Sequence, residues 1–166
     1  MRILAAFFVI LLLFPLSSCA ASSTPDCREI LTAMTDAEIG LPAGKTYSLR
    51  AKKGDDEYLS EHLLNSLYGD GERPVMADGW IDIAIFLSLS DHPCEFAVFL
   101  CDSKDTATDT ARMLCHHIDV IRTANEGLQF SHYLDNATVT IIKNYVLMII
   151  SSDSENILKV ASKIIG

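Results

Sequence analysis

Whole classes of chemistry are missing from this chain of 166 residues. It has no Gly-x-Ser-x-Gly elbow, which excludes the nucleophile turn of the α/β-hydrolases. Its 8 glycines form no phosphate-cradling loop. Neither His-x-x-x-His nor Cys-x-x-Cys occurs, so the common zinc spacings are absent. Basic residues are scarce, with 13 Lys and Arg against 22 Asp and Glu, a net charge of −9. An acidic surface repels phosphate backbones and anionic headgroups, which argues against nucleic acid as a partner. There is one long apolar run, Ile3 to Leu16, interrupted only by Pro15. A bilayer-spanning helix takes about 20 apolar residues, and this run is shorter.

What is present begins with that run. Arg2 precedes it, and Leu16-Ser17-Ser18-Cys19-Ala20 follows. A charged start, an apolar stretch and small residues at a cut site make a secretory signal. Leu-Ser-Ser-Cys also resembles the lipobox of bacterial lipoproteins. That resemblance implies cleavage before Cys19, diacylation of its sulfur and a chain tied to a membrane outside the cytoplasm. The expected organisation is a signal peptide over 1–18, a lipidated tether over 19–25 and a single domain over 26–166. Plain secretion, with a cut after Ala20 that removes Cys19, is the alternative. Loss of Arg2 leaves 12 basic against 22 acidic residues, a net charge of −10, so acyl chains and not charge would hold the chain on the membrane.

Four further cysteines, Cys27, Cys94, Cys101 and Cys115, lack the spacing of a small disulfide scaffold. They read mainly as small buried apolar residues, with Cys115 facing the core of a helix; one disulfide is the alternative. Thr24 and Pro25 predict the cap and first position of a helix with Ile30, Leu31, Met34 and Ile39 on its apolar side, ended by Gly40 and Pro42. A loop over 41–56 carries Arg50, Lys52 and Lys53, with a short strand at 46–50. Leu59, Leu63 and Leu67 predict a second helix over 56–67. The period then changes to two: Ile81, Ile83, Ile85, Leu87 and Leu89 predict a half-buried strand, with Asp82 on its polar side. Ser90 to Pro93 turns into Phe96–Cys101, which is apolar on both faces as an inner strand is. A long helix over 103–126 follows, with Ala107, Ala111, Leu114, Ile118 and Ile121 in one stripe. A second hairpin turns at Lys143-Asn144, and a last helix carries Ile157, Ala161 and Ile164. Strand-strand-helix thus occurs twice. The expected fold is α+β: an antiparallel sheet of about four strands with helices on one face, preceded by two N-terminal helices.

Three pieces of this chain belong together by likeness. Glu95-Phe96-Ala97-Val98-Phe99 leads into Asp102-Ser103-Lys104-Asp105 and a helix. Tyr133 follows that helix. Lys143-Asn144-Tyr145-Val146-Leu147-Met148-Ile149-Ile150 closes the series. From Trp80 to Gly166, a little over half of the chain, this order resembles a family of small lipoproteins catalogued as domain of unknown function 4358. The resemblance implies an extracytoplasmic lipoprotein and carries no activity, catalytic residue or ligand. The pair His116-His117 departs from it, because family members show a polar or basic helix surface there.

Candidate chemistry is thin. In Cys115-His116-His117, neighbours on a helix point about 100° apart and cannot share a metal. His92-Pro93-Cys94 reads as a turn histidine beside a half-buried thiol. Asp55-Asp56-Glu57 and Asp102 with Asp105 lie at expected helix starts, where negative charge complements the dipole. Asp70-Gly71-Glu72 lacks the alternating ligands of an EF-hand. Asn136-Ala137-Thr138 fits a glycosylation acceptor, a coincidence on the bacterial origin that the lipobox resemblance implies. Trp80, Tyr68 and Tyr133 sit at element ends, as core-edge rings or as a partner surface. The expected role is a non-enzymatic binding or accessory module of the envelope, anchored through Cys19, with an unidentified envelope protein or ligand as partner and no cofactor or metal. An envelope hydrolase with a site assembled from distant residues is one alternative. An assembly subunit pairing through a sheet edge is another.

Overall fold

The structure, a computed structural model, describes residues 24–69 and 78–166. The signal segment, Cys19 and the Asp70-Gly71-Glu72 turn lie outside the described residues. The first helix, α1, spans Cys27–Ala37. Its cap is Asp26 in place of Thr24: Asp26 Oδ1 accepts from the Glu29 N–H at 2.7 Å. A carboxylate is the stronger acceptor, and it adds charge at the positive end of the dipole. The helix ends before Ile39, which is therefore 88% exposed and not part of the apolar side.

A strand, β1, runs from Gly44 to Ser48, slightly earlier than the sequence suggests. The second helix, α2, is Glu61–Tyr68, shorter than expected, because Ser60 Oγ caps it by accepting from Leu63 N–H. The first hairpin is β2, Trp80–Ser88, with β3, Glu95–Cys101. Helix α3, Lys104–Ala124, starts from a Ser103 cap. A four-residue helix α4, His132–Asp135, precedes the second hairpin, β4, Thr138–Ile142, and β5, Tyr145–Ile150. Helix α5, Ser154–Ile165, completes the chain.

The strands form one antiparallel sheet of five, in the order β1-β2-β3-β5-β4. The expected four strands become five because β1 pairs along β2. The two leading helices exist, but β1 separates them. Helices cover both faces of the sheet. One core joins α1 and α5 to Ala84, Phe86, Phe96, Val98, Leu147 and Ile149. The other joins α2, α3 and α4 to Ile83, Ile85, Ala97, Phe99, Val146 and Met148. The single covered face expected from sequence is thus corrected to two, and the reason lies in β3 and β5. Both strands are apolar at almost every position, and such strands need cover on each side.

The repeated strand-strand-helix unit is a repeat of element order alone. A two-fold axis normal to the sheet that carried β3 onto antiparallel β5 would leave both following helices on one face. Helices α3 and α5 pack on opposite faces.

Strand β2 is also buried on both sides. Its register shifts between Trp80 and Asp82, a β-bulge with Ile81 as the extra residue. Ile81 turns out to solvent, at 58% exposed, while Trp80 turns onto the α3 side and Asp82 onto the α1 side. Asp82, expected on the polar face of a half-buried strand, is fully buried.

Candidate functional site

The two ends of the sheet hold different chemistry. At the end where α1 begins, Asp82 is the centre. Its Oδ2 accepts from Cys27 N–H at 3.1 Å and pairs with Arg50 Nε at 2.9 Å, and its Oδ1 accepts from its neighbour's Ile83 N–H. Tyr145 Oη donates to the Pro25 carbonyl at 2.5 Å. Burial and the adjacent Asp82 carboxylate push the Cys27 thiol upward. Burial, then Cys27 and Asp82, raise Tyr145 to about 12. These groups fix the point where the chain enters the domain.

At the opposite end, the turn before β3 sends three neighbouring side chains to three places. Glu95, at the head of β3, is buried on the α2–α3 side. It accepts from Tyr68 Oη at 3.0 Å and lies 3.0 and 3.2 Å from His117 Nε2. The Tyr68 and His117 rings meet edge to face at 4.7 Å. A carboxylate offers only acceptors, so the proton of this bond sits on His117 Nε2. Burial, then the Glu95 charge and hydrogen bond, hold Tyr68 well above its ordinary value and keep it a donor. The three residues tie the last turn of α2 and the second half of α3 to the start of β3.

Cys94 points to the other face. Burial and the charges of Glu38 and Glu95 push its thiol up to about 12. Ser151 Oγ donates to Glu38 Oε2, which joins the end of α1 to the end of β5. His92 packs against Phe130 at 4.5 Å and Tyr133 at 4.2 Å, and its Nδ1 accepts from Cys94 N–H at 3.3 Å. His132 lies against Tyr133 at 4.6 Å.

The aromatic residues singled out from sequence are placed separately. Trp80 Nε1 donates to Thr110 Oγ1 at 2.8 Å, and its ring meets Phe99 at 5.1 Å. Tyr68 meets the same Phe99 ring at 5.9 Å, so the two are joined through the core. Tyr133 belongs to the His92 group. Cys27, Cys94 and Cys101 are buried free thiols, and Cys115 is exposed. The expectation that Cys115 faces the core is corrected: the buried stripe passes through Leu114 and Ile118, which turns residue 115 to solvent. No group of three His, Cys, Asp or Glu side chains among the described residues is arranged to hold a metal.

Sequence reasoning missed Glu95 and Asp82 as buried carboxylates, and it weighed His117 only as a metal ligand. A signal existed for Glu95 and His117. Glu95 opens an otherwise apolar strand, and residue 117 falls on the inward stripe of its helix, between Leu114 and Ile118. Comparison with family models, with curated proteins and with solved structures returned no match for this chain.

Proposed function

We propose that this chain is an extracytoplasmic lipoprotein of the family resembling domain of unknown function 4358, anchored through Cys19 and acting as a binding or accessory module. The observation that carries this reading is the spacing of Leu16-Ser17-Ser18-Cys19 from the fold. Helix α1 starts at Cys27, and the intervening residues reach at most about 28 Å. A domain whose first helix is pinned by Asp82 and Tyr145 would sit close against the membrane that holds Cys19. The buried carboxylates favour a framework role over catalysis. Asp82, Glu95 and Glu38 each hold a group from another element.

The test is intact-mass and N-terminal mass spectrometry of the chain made in a bacterium that processes lipoproteins. A mature start at Cys19 carrying acyl mass supports the anchor, and Cys19→Ala abolishes both. A different start, or no acyl mass, overturns it. Affinity capture from detergent-solubilised envelopes tests the module: recovery of no stable protein, peptide or glycan partner overturns that half.

A second reading, an assembly subunit that pairs through a sheet edge, is favoured by one observation. Strand β4 is an edge strand, Thr138-Val139-Thr140-Ile141-Ile142, with no charged residue.

A further inference from the structure

The two edges of the sheet are built differently. Edge β1 carries Lys45, and its last residue is already engaged: Ser48 N–H donates to the Glu57 carbonyl, and the Ser48 carbonyl accepts from Leu59 N–H. Charge and a covering segment are the usual means of blocking an edge. Among the described residues, edge β4 has neither. All five of its residues are β-branched, the type that best suits a paired strand. Ile141 is 43% exposed on the α3 side, beside Val139.

The strand is also self-complementary. The two-residue turn Lys143-Asn144 makes Ile142 and Tyr145 the closing hydrogen-bonded pair of the hairpin. Alternation along β4 then directs the N–H and C=O groups of Val139 and Ile141 away from β5. An antiparallel second copy centred on Thr140 sets Val139 opposite Ile141 in both directions. That register joins the outward backbone groups of each copy to those of the other. It puts Val139 and Ile141 in apolar contact and Thr140 against Thr140, a favourable cross-strand pair. It brings the Lys143 turn of each copy to the Asp135-Asn136 turn of the other, opposite in charge. Centring on Ile141 would instead pair Val139 with Lys143, whose φ of 55° lies outside strand geometry.

We infer that the protein forms a two-fold dimer by antiparallel pairing of β4 with β4 of a second copy, in the register Thr140 to Thr140. This inference rests on the edge-pairing reading and supplies its partner. The axis is normal to the sheet, so the α1–α5 faces of both copies lie on one side. The α1 starts of both copies therefore lie on one side of the paired sheet, where two anchors at Cys19 would share one bilayer, and a shared membrane raises the local concentration of partners.

The test uses the full-length chain, solubilised in detergent, in a Cys115→Ser background that removes the exposed thiol. Thr140→Cys places two sulfurs across a non-hydrogen-bonded pair, within disulfide reach. Mild oxidation is expected to convert Thr140→Cys to a covalent dimer while Thr46→Cys on β1 stays monomeric. Ile141→Lys, at an exposed position, is expected to weaken the dimer about tenfold or more in sedimentation. If Thr140→Cys cross-links no better than Thr46→Cys, or if Ile141→Lys folds and leaves the dimer intact, the inference is overturned. Cross-linking of Thr140→Cys to a different polypeptide also overturns self-pairing, while the edge-pairing reading survives.

Discussion

Glu95 is the residue on which the most structure converges. It is buried, and its two oxygens serve Tyr68 and His117 from two different helices. Glu95→Leu fills the space but leaves a phenol O–H and an imidazole N–H without an acceptor in a dry site. The expected loss is about 2–4 kcal/mol in urea unfolding. Adding Tyr68→Phe in that background should cost much less than it does alone, because the orphaned donor is then gone. Full additivity of the two would show that the contact does not operate. His92 gives a pH effect of known sign. Burial first, and then the His132 charge, hold it below its ordinary value of 6.5. The folded state therefore disfavours its charged form, and the unfolded chain takes up the proton first as pH falls. The stability tied to this group is complete above pH 6.5 and is lost as pH falls through 6.5 toward the lower folded value. The urea midpoint of the wild type should drop more between pH 7.5 and 5.5 than that of His92→Gln. An equal drop would exclude this origin.

Elements differ in how openly their residues announce them. Helix α3 and both hairpins show in the sequence because a single period governs each: the stripe from Ala107 to Ile121, and the turns at Ser90–Pro93 and Lys143-Asn144. The unbroken apolar runs of β3 and β5 carry the signal for a two-sided core, which the expected single covered face did not use. The bulge at Ile81 was hidden. Ile81 continues the odd-numbered apolar series, and only pairing with β3 reveals that the series breaks there. Contacts such as Tyr68–Glu95–His117 were hidden for the same reason: they join residues that no local period relates. Strand β1 was the least legible, since Gly44-Lys45-Thr46-Tyr47-Ser48 has no apolar alternation. Its place depends on a close approach. A Cβ on Gly44 would fall 2.1 Å from a Phe86 ring carbon and 2.7 Å from the Leu87 carbonyl oxygen. Gly44→Ala should therefore push the head of β1 off β2 at a cost of about 1–3 kcal/mol. Faster hydrogen exchange at Leu89, whose N–H donates to the Ala43 carbonyl at 2.9 Å, would report it. Unchanged protection there would mean that Phe86 yields instead.

At the scale of the whole molecule, the chain's charge and the proposed lipid anchor would make opposite demands on a membrane. Cleavage before Cys19, as proposed, would leave a net charge of −10 that opposes approach to an anionic surface, a repulsion screened over about 10 Å at 0.1 M salt. Two acyl chains on Cys19 would act through apolar transfer, which modest salt leaves almost unchanged. The distinction gives a direct experiment with vesicles containing anionic lipid. On the proposed acylation of Cys19, the native chain should remain bound from low to high salt, and any change should be a slight gain as repulsion is screened. The Cys19→Ala chain, having no acylated sulfur, should show no salt-sensitive binding through its domain. If binding of the native chain instead weakened steeply with salt, basic groups such as Arg50, Lys52 and Lys53 would be holding the surface. The acidic domain would then lie on the membrane by charge, and the tether before α1 would lose its role as the sole attachment.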